Sequence, residues 1–415
     1  MLLAVKSIKQ SCSVEPLLPL MKIFRQMVND CLTIGLQANA STTKHLSKLC
    51  YSQLTRHDIV SYYKLHAISK AAGILANRKQ SMKRGYPTKT PYLKHDILVS
   101  CYGFKMVDGI LKIPIASNGR GFKPTYYDIP LNKYTKEILS NPAVTVRSFT
   151  LTANNTVSIC YSKEIAEIDC TTIAGVDRNL TNLTVGNTEK IEQYDLSKAV
   201  DIAENTRSVV RSFKRNDVRI RKKLAGKYGQ RRDNRVKQLL HHVSKQIVTT
   251  AKQEKTAIAF EKLTHIRRMY QKGNYQDKDC RSRLNSWPFA EVKTQITYKA
   301  QWEGVPIIQL STSQTRGTSQ LCPQCGKRLQ GDRLRKRELY CQECNKWQDR
   351  DVVAAMNIAR KGAEVFQRSK GVVSEAMKGN PTTPVILRVD ATKLSQMTRQ
   401  NHPTHGAILQ IFLVL

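Results

Sequence analysis
A chain of 415 residues is long enough for two or three domains, each with its own core. Lysine and arginine outnumber aspartate and glutamate 68 to 32, and a formal charge of +36 is too large for a cytosolic metabolic enzyme and points to a polyanionic partner. No apolar run approaches the ~20 residues of a bilayer span, and Met1-Leu-Leu-Ala-Val-Lys6 is interrupted too early for a signal peptide, so a membrane protein is excluded and cytoplasmic or nucleoid-associated residence is expected.

In chain order, residues 17–87 carry apolar positions at helical spacing (Leu20, Ile23, Phe24, Met27, Val28, Cys31) with few breakers before Gly85-Tyr-Pro87, which predicts a helical subdomain. Residues 88–168, joined by 1–16, read as a β-rich, barrel-like part. Their alternation runs through Val144-Thr-Val146 and Val157-Ser-Ile159, with turns at Asp108-Gly109 and Asn154-Asn155. From 169 the texture is α/β. Ile173 to Asn179 and Leu183 to Asn187 form a predicted hairpin, and a long charged helical stretch runs to about Glu254. A strand at 257–260, a helix at 289–302 and a strand at 306–310 follow, giving a mixed sheet over 169–320 that a ribbon at 321–345 interrupts and a helix within 346–362 completes. Residues 363–415 show weak periodicity with breaks at Pro381, Pro384 and Pro403, and are expected to be partly or wholly disordered.

The ribbon is carried by Cys322-Pro-Gln-Cys325 and Cys341-Gln-Glu-Cys344, with fifteen residues between the pairs. Zinc takes four soft ligands at tetrahedral angles, and two such turns on neighbouring hairpins close that site. Gly326 helps the first knuckle turn. Four thiolates leave no open position, so the Zn2+ is structural. Residues 327–340 read as two short strands around Gly331-Asp332. The other seven cysteines stand singly, as reduced and mostly buried thiols do.

Three carboxylates lie against apolar backgrounds: Asp177 and Glu261 at strand ends, and Asp351 opening a helix. Stripping water from an unpaired carboxylate is costly, and a hard cation such as Mg2+ would neutralise several at one point. Each also fits a plainer part. Asp177 suits a turn and Glu261 a helix cap, while Asp349 and Asp351 both suit a helix N-terminus. Asp349 fits capping better, whereas Asp351 shares a helical face with Ala355 and Ile358 and should point inward.

This order of features resembles the TnpB proteins, the OrfB family of IS200/IS605-type insertion elements and relatives of compact type V CRISPR nucleases. Gly175-Val-Asp177 is similar to the first RuvC motif and Phe260-Glu261-Lys-Leu263 to the second. Thr318-Ser-Gln-Leu-Cys322 and Asp349-Arg-Asp351-Val-Val-Ala354-Ala-Met-Asn357-Ile match the ribbon and the third motif, and Trp287, Phe289 and Tyr298-Lys-Ala300 are landmarks between. The resemblance implies a prokaryotic, RNase H-like (RuvC) nuclease over 169–320 and 346–362, using Asp177, Glu261 and Asp351 as catalytic ligands of Mg2+. It further implies a guide RNA from the transposon end, double-stranded DNA as target, a recognition lobe over 17–87 and a wedge domain over 1–16 and 88–168. Val353 stands where the family usually has asparagine. That position is expected to support the metal site, so the change is expected to weaken activity without removing a ligand.

Residues 214–237 hold eleven Lys or Arg against two Asp. Arg215, Arg219, Lys222 and Lys223 recur at helical spacing, and with Arg231 and Arg232 they read as nucleic-acid contacts, because such self-repulsion is costly without a polyanion. His265 to Tyr275 mixes cations, aromatics and glycine, and suits equally a base-stacking loop and a connector. Two other functions share these features: a strand-transfer transposase with the same acids, and a nuclease-impaired RNA-guided DNA-binding regulator. The intact triad favours the active nuclease. The sequence argues against a tyrosine transposase, because His241-His242 are adjacent and no His-hydrophobic-His pair accompanies a catalytic tyrosine.

Overall fold
A computed structural model describes residues 2–116, 125–213, 217–263, 277–287, 289–332, 334–335, 337–370 and 385–390. The chain divides into two compact units, Leu3–Glu164 and the part from Ile165 onward. The first unit contains β1 (Leu2–Ser11), α1 (Leu18–Gln37), α2 (Thr43–Leu54), α3 (Ser61–Lys83), β2 (Ile97–Ser100), β3 (Lys105–Val107), β4 (Ile110–Ala116), β5 (Thr125–Pro130), α4 (Lys133–Leu139), β6 (Thr145–Thr152) and β7 (Thr156–Ile165). Met21, Phe24, Val28, Cys31 and Leu32 give α1 a stripe at three- and four-residue spacing, which is buried as expected of a core helix. The β-rich part consists of two sheets, β1-β7-β6-β2 and β3-β4-β5. Its turns fall where expected, with Asp108, Gly109 and Asn155 at φ 49°, 71° and 54°.

The second unit contains β8 (Thr172–Arg178), β9 (Asn182–Gly186), β10 (Lys190–Asp195), α5 (Ser197–Ser212), α6 (Val218–Gln253), β11 (Thr256–Phe260), α7 (Lys278–Ser286), α8 (Phe289–Glu303) and β12 (Ile307–Gln309). There follow β13 (Gln330–Gly331), β14 (Glu338–Cys341), β15 (Lys346–Asp349), α9 (Arg350–Lys370) and β16 (Val385–Asp390). Six strands form a mixed sheet in the order β12-β11-β8-β9-β10-β16. The meander β8-β9-β10 is antiparallel, whereas β11 runs parallel to both β8 and β12. Because strand side chains alternate between faces, Ala174, Val176, Ile258 and Phe260 pack into one core with α6 and α8. Ile173, Ala257 and Ala259 pack on the opposite face with Ile358 and Ala363 of α9.

Three expectations differ from this fold. A third meander strand, β10, lies between the predicted hairpin and the helical stretch, and its Lys-Ile-Glu-Gln-Tyr-Asp is too short to announce itself against the helix that follows. The ribbon likewise gains a third strand, β15, whose pairing with β14 starts from the cysteine turn. The tail expected to be disordered is partly regular. α9 runs on to Lys370, because Ala363, Val365 and Phe366 extend its apolar face onto the core, and Val385–Asp390 pairs in parallel with β10. Among the described residues no helix is long and apolar enough to cross a membrane.

Candidate active site and metal centre
Period two along the strands settles which way the strand-end carboxylates face. Ile173 and Gly175 lie on the α9 side of β8, so Asp177 does too, and Ala257 and Ala259 place Glu261 on that side of β11. The parallel register ends with Phe260 beside Val176, and Glu261, the next residue, lies near enough to Asp177 to act on its charge. Asp351 comes from above, on the first turn of α9. Gly175 allows this closeness, since a Cβ there would lie 2.1 Å from Ala355 O and 2.6 Å from Ala359 N.

Asp349 and Asp351 divide their labour as spacing suggests. The Asp349 Oδ1 accepts the amides of Asp351 at 2.7 Å and Val352 at 3.2 Å, capping α9. Asp351 is 1% exposed. Its Oδ2 accepts from Asn182 Nδ2 at 3.2 Å and pairs with Arg337 at 3.4 Å, while Oδ1 is buried with no partner among the described residues. Asn179 Nδ2 donates to Asp177 Oδ2 at 2.8 Å. On the opposite face the buried Arg178 lies over the Phe260 ring and donates to Glu261 O at 2.9 Å, fixing the end of β11.

Burial, and then Glu261, push the Asp177 carboxyl up to about 7, with Asn179 opposing and Asp351 adding to the rise. Burial raises Glu261 also, and Arg178 offsets part of it. A carboxyl whose pKa rises on folding binds its proton more tightly in the native state, so its contribution to stability is largest at low pH and is lost as pH rises from about 4 to about 7. His241 acts oppositely, since burial and Lys299 push it down to about 4 and its protonation below about 6.5 favours the unfolded chain. The informative quantity is therefore a difference. Without added magnesium, the melting temperature of Asp177→Asn is expected to climb relative to the native chain between pH 5 and pH 8. A constant difference across that range would refute it.

The four cysteine sulfurs lie within 4.8 Å of one another, and among the described residues they are the one group of three or more such ligand atoms this close. Cys322 Sγ is 3.8 Å from Cys344 Sγ, and Cys325 Sγ is 3.5 Å from Cys341 Sγ. Gly326 and Asn345 follow the two knuckles with φ of 74° and 48°, so each turn has its left-handed residue at the same place. Burial raises the Cys322 thiol, but amides of Cys325 and Gln324 and the Gln348 side chain outweigh it and bring it to about 6, whereas burial and the neighbouring thiols raise Cys341 and push Cys344 up to about 12. The set can hold zinc. Position 353, expected to serve the carboxylates, does not face them. Two residues along a helix is a rotation of about 200°, and Val353 is buried with Cys322, Leu329 and Cys341 against the ribbon. Asn357 completes that seat, donating 2.8 Å hydrogen bonds to Thr318 O and Leu321 O.

Of the predicted nucleic-acid contacts, Arg219, Lys222, Lys223 and Arg231 are exposed on the first half of α6, which buries nothing before Val236. Arg232 is half-buried and paired with Asp233 at 2.8 Å. Arg215 and the loop at 265–275 lie outside the described residues. Asn179, Asn182 and Arg337 escape sequence reasoning, because asparagine in a turn and arginine in a basic chain look ordinary.

A family model, Cas12f1-like, TNB domain, matches residues 289–358, from α8 through the ribbon into α9. A TnpB-like protein of Methanocaldococcus jannaschii is 33% identical over 227 residues, 51% of this chain and 76% of that one. The chain belongs to the TnpB-like family. The CRISPR-associated endodeoxyribonuclease Cas12f1 of Sulfoacidibacillus thermotolerans is 32% identical over 121 residues, 29% of this chain and 25% of that one. Two solved structures align with it: a CRISPR-Cas12f ternary complex and the mini-RNA-guided endonuclease CRISPR-Cas phi3. They cover 82% and 87% of this chain and 80% and 92% of theirs, at 16% and 9% identity and TM-scores of 0.35 and 0.45.

Proposed function
We propose that this TnpB-like chain is an RNA-guided DNA endonuclease that hydrolyses phosphodiester bonds at Asp177, Glu261 and Asp351. The observation that carries the reading is the convergence of these three carboxylates from β8, β11 and α9 on one face of the sheet. An antiparallel meander extended by two parallel strands supports an RNase H-like (RuvC) domain over 169–320 and 346–362. The donor set suits Mg2+, since it is oxygen only and leaves Asp351 Oδ1 buried without a donor among the described residues. Bound there, a pair of divalent cations would activate water and neutralise the leaving oxygen.

The chain's own residues do the rest. Asn179 and Asn182 hold the two aspartates through amide donors, and the exposed cations of α6 offer a sequence-blind contact for phosphates. A guide RNA from the transposon end and double-stranded target DNA are the partners in this reading, with a recognition lobe over 17–87 and a wedge over 1–16 and 88–168. Losing one ligand should remove several kcal/mol of transition-state stabilisation, about 10³-fold or more in rate. The test is expression with the flanking element, sequencing of the RNA that co-purifies, and cleavage of a randomised-flank DNA library by native protein and Asp177→Ala. Native cleavage directed by a defined RNA, absent in Asp177→Ala, is expected. Undiminished cutting by the variant in magnesium sinks the site, and purification free of any defined RNA sinks the guided mechanism.

A further inference from the structure
Asn182 sits where the β8–β9 turn closes, its carbonyl accepting the Asn179 N–H at 3.0 Å. Its side chain leaves the turn and reaches α9, where Nδ2 donates to Asp351 Oδ2 at 3.2 Å. The second cation-side partner of that oxygen, Arg337, is 49% exposed and 3.4 Å away, so it is the weaker constraint. Both donors therefore meet Oδ2 and leave Oδ1 bare, and Asn182 Oδ1 is likewise buried without a partner among the described residues. A carboxylate hydrogen-bonded on one oxygen only is held in one orientation with the other presented.

We infer that Asn182 is a positioning residue that turns Asp351 so that Oδ1 is offered to a divalent cation. The inference rests on reading Asp177, Glu261 and Asp351 as a cation site. An amide suits this task better than lysine or arginine, because it supplies a donor without the positive charge that would compete with the ion. Its place also fits. The same short turn carries Asn179, which holds Asp177 at 2.8 Å, so one turn between two strands orients acids delivered by a strand and by a helix far along the chain.

The test is Mn2+ binding to the full chain with its ribbon loaded, read from the paramagnetic resonance of free Mn2+, a hard ion that does not displace thiolate-bound zinc. Asn182→Ala is expected to weaken binding by about 10–100-fold. Asn182→Thr, which keeps a shorter hydroxyl donor, is expected to fall between Ala and native. Circular dichroism and zinc content confirm the fold of each variant, and if Ala does not fold, Thr alone decides. A folded variant that binds Mn2+ as tightly as the native chain overturns the inference. Asp351→Asn separates the two levels: unaltered binding in that variant, or none in the native chain, sinks the carboxylate site itself and this inference with it.

Discussion

Cys341→Ser, or stripping zinc from the four cysteines with a strong chelator, is expected to unfold the ribbon and to carry the proposed carboxylate site with it. The ribbon has almost no core of its own. Its strands β13, β14 and β15 span two, four and four residues, and its buried cluster is Cys322, Leu329, Cys341 and the α9 residue Val353. Three strands this short do not persist in water on their own contacts. A structural zinc supplies on the order of 10–16 kcal/mol in folding units of this kind, so its loss decides whether the ribbon exists. The consequence for chemistry follows from connectivity. β15 ends at Asp349, the cap of α9, and the Arg350 amide donates to Arg337 O at 2.8 Å, tying the helix start to the strand beside it. Without the ribbon, Asp351 loses its cap, its Arg337 partner and the Val353 and Asn357 contacts that seat the helix. Zinc release, Mn2+ affinity and amide exchange of α9 should therefore move together. A chain stripped of its ribbon metal that binds Mn2+ undiminished would separate the two centres and defeat the argument. Withholding magnesium should leave the thiolate site intact.

What could be read in advance, and what could not, depends on how local the cause is. The cysteine pairs declare their site because ligand spacing is a property of adjacent residues. That Asp349 caps α9 while Asp351 points inward was equally legible, since capping and inward-facing positions differ by two residues on one helix. By contrast, the amide of Asn182 matters only because α9, 169 residues later, lies over the turn. β16 joins β10 across a similar separation, and nothing in Val385–Asp390 says which strand it will meet. Val353 shows the converse. A family pattern marks the position as important, yet the helical angle directs it to the ribbon rather than to the acids.

Gly175→Ala is expected to lift α9 from the sheet and to disturb the carboxylates that meet there. The glycine is extended, not left-handed, so its backbone would suit any residue; the demand is for space. An added Cβ would lie 2.1 Å from Ala355 O and 2.6 Å from Ala359 N. Both are backbone atoms of α9, which cannot swing aside as a side chain can, so the helix must lift by about an ångström. Overpacking a core in this way costs about 1–3 kcal/mol or more, and a misplacement of about 1 Å at reacting groups costs about 10²-fold in rate. Gly362→Ala is the control. Its added methyl meets Ala259 Cβ at 2.6 Å and Ile173 Cγ2 at 3.2 Å, so it too is crowded, but at 1.5 Å per residue it stands roughly 16 Å along the helix from Asp351. Both variants should melt earlier than the native chain. Only Gly175→Ala should also lose Mn2+ affinity and cleavage at temperatures where it remains folded, because only there does the strain act two residues from Asp177 and one helical turn from Asp351. Equal losses in the two variants would mean that stability alone, and not the seating of Asp351 over Asp177, governs the site.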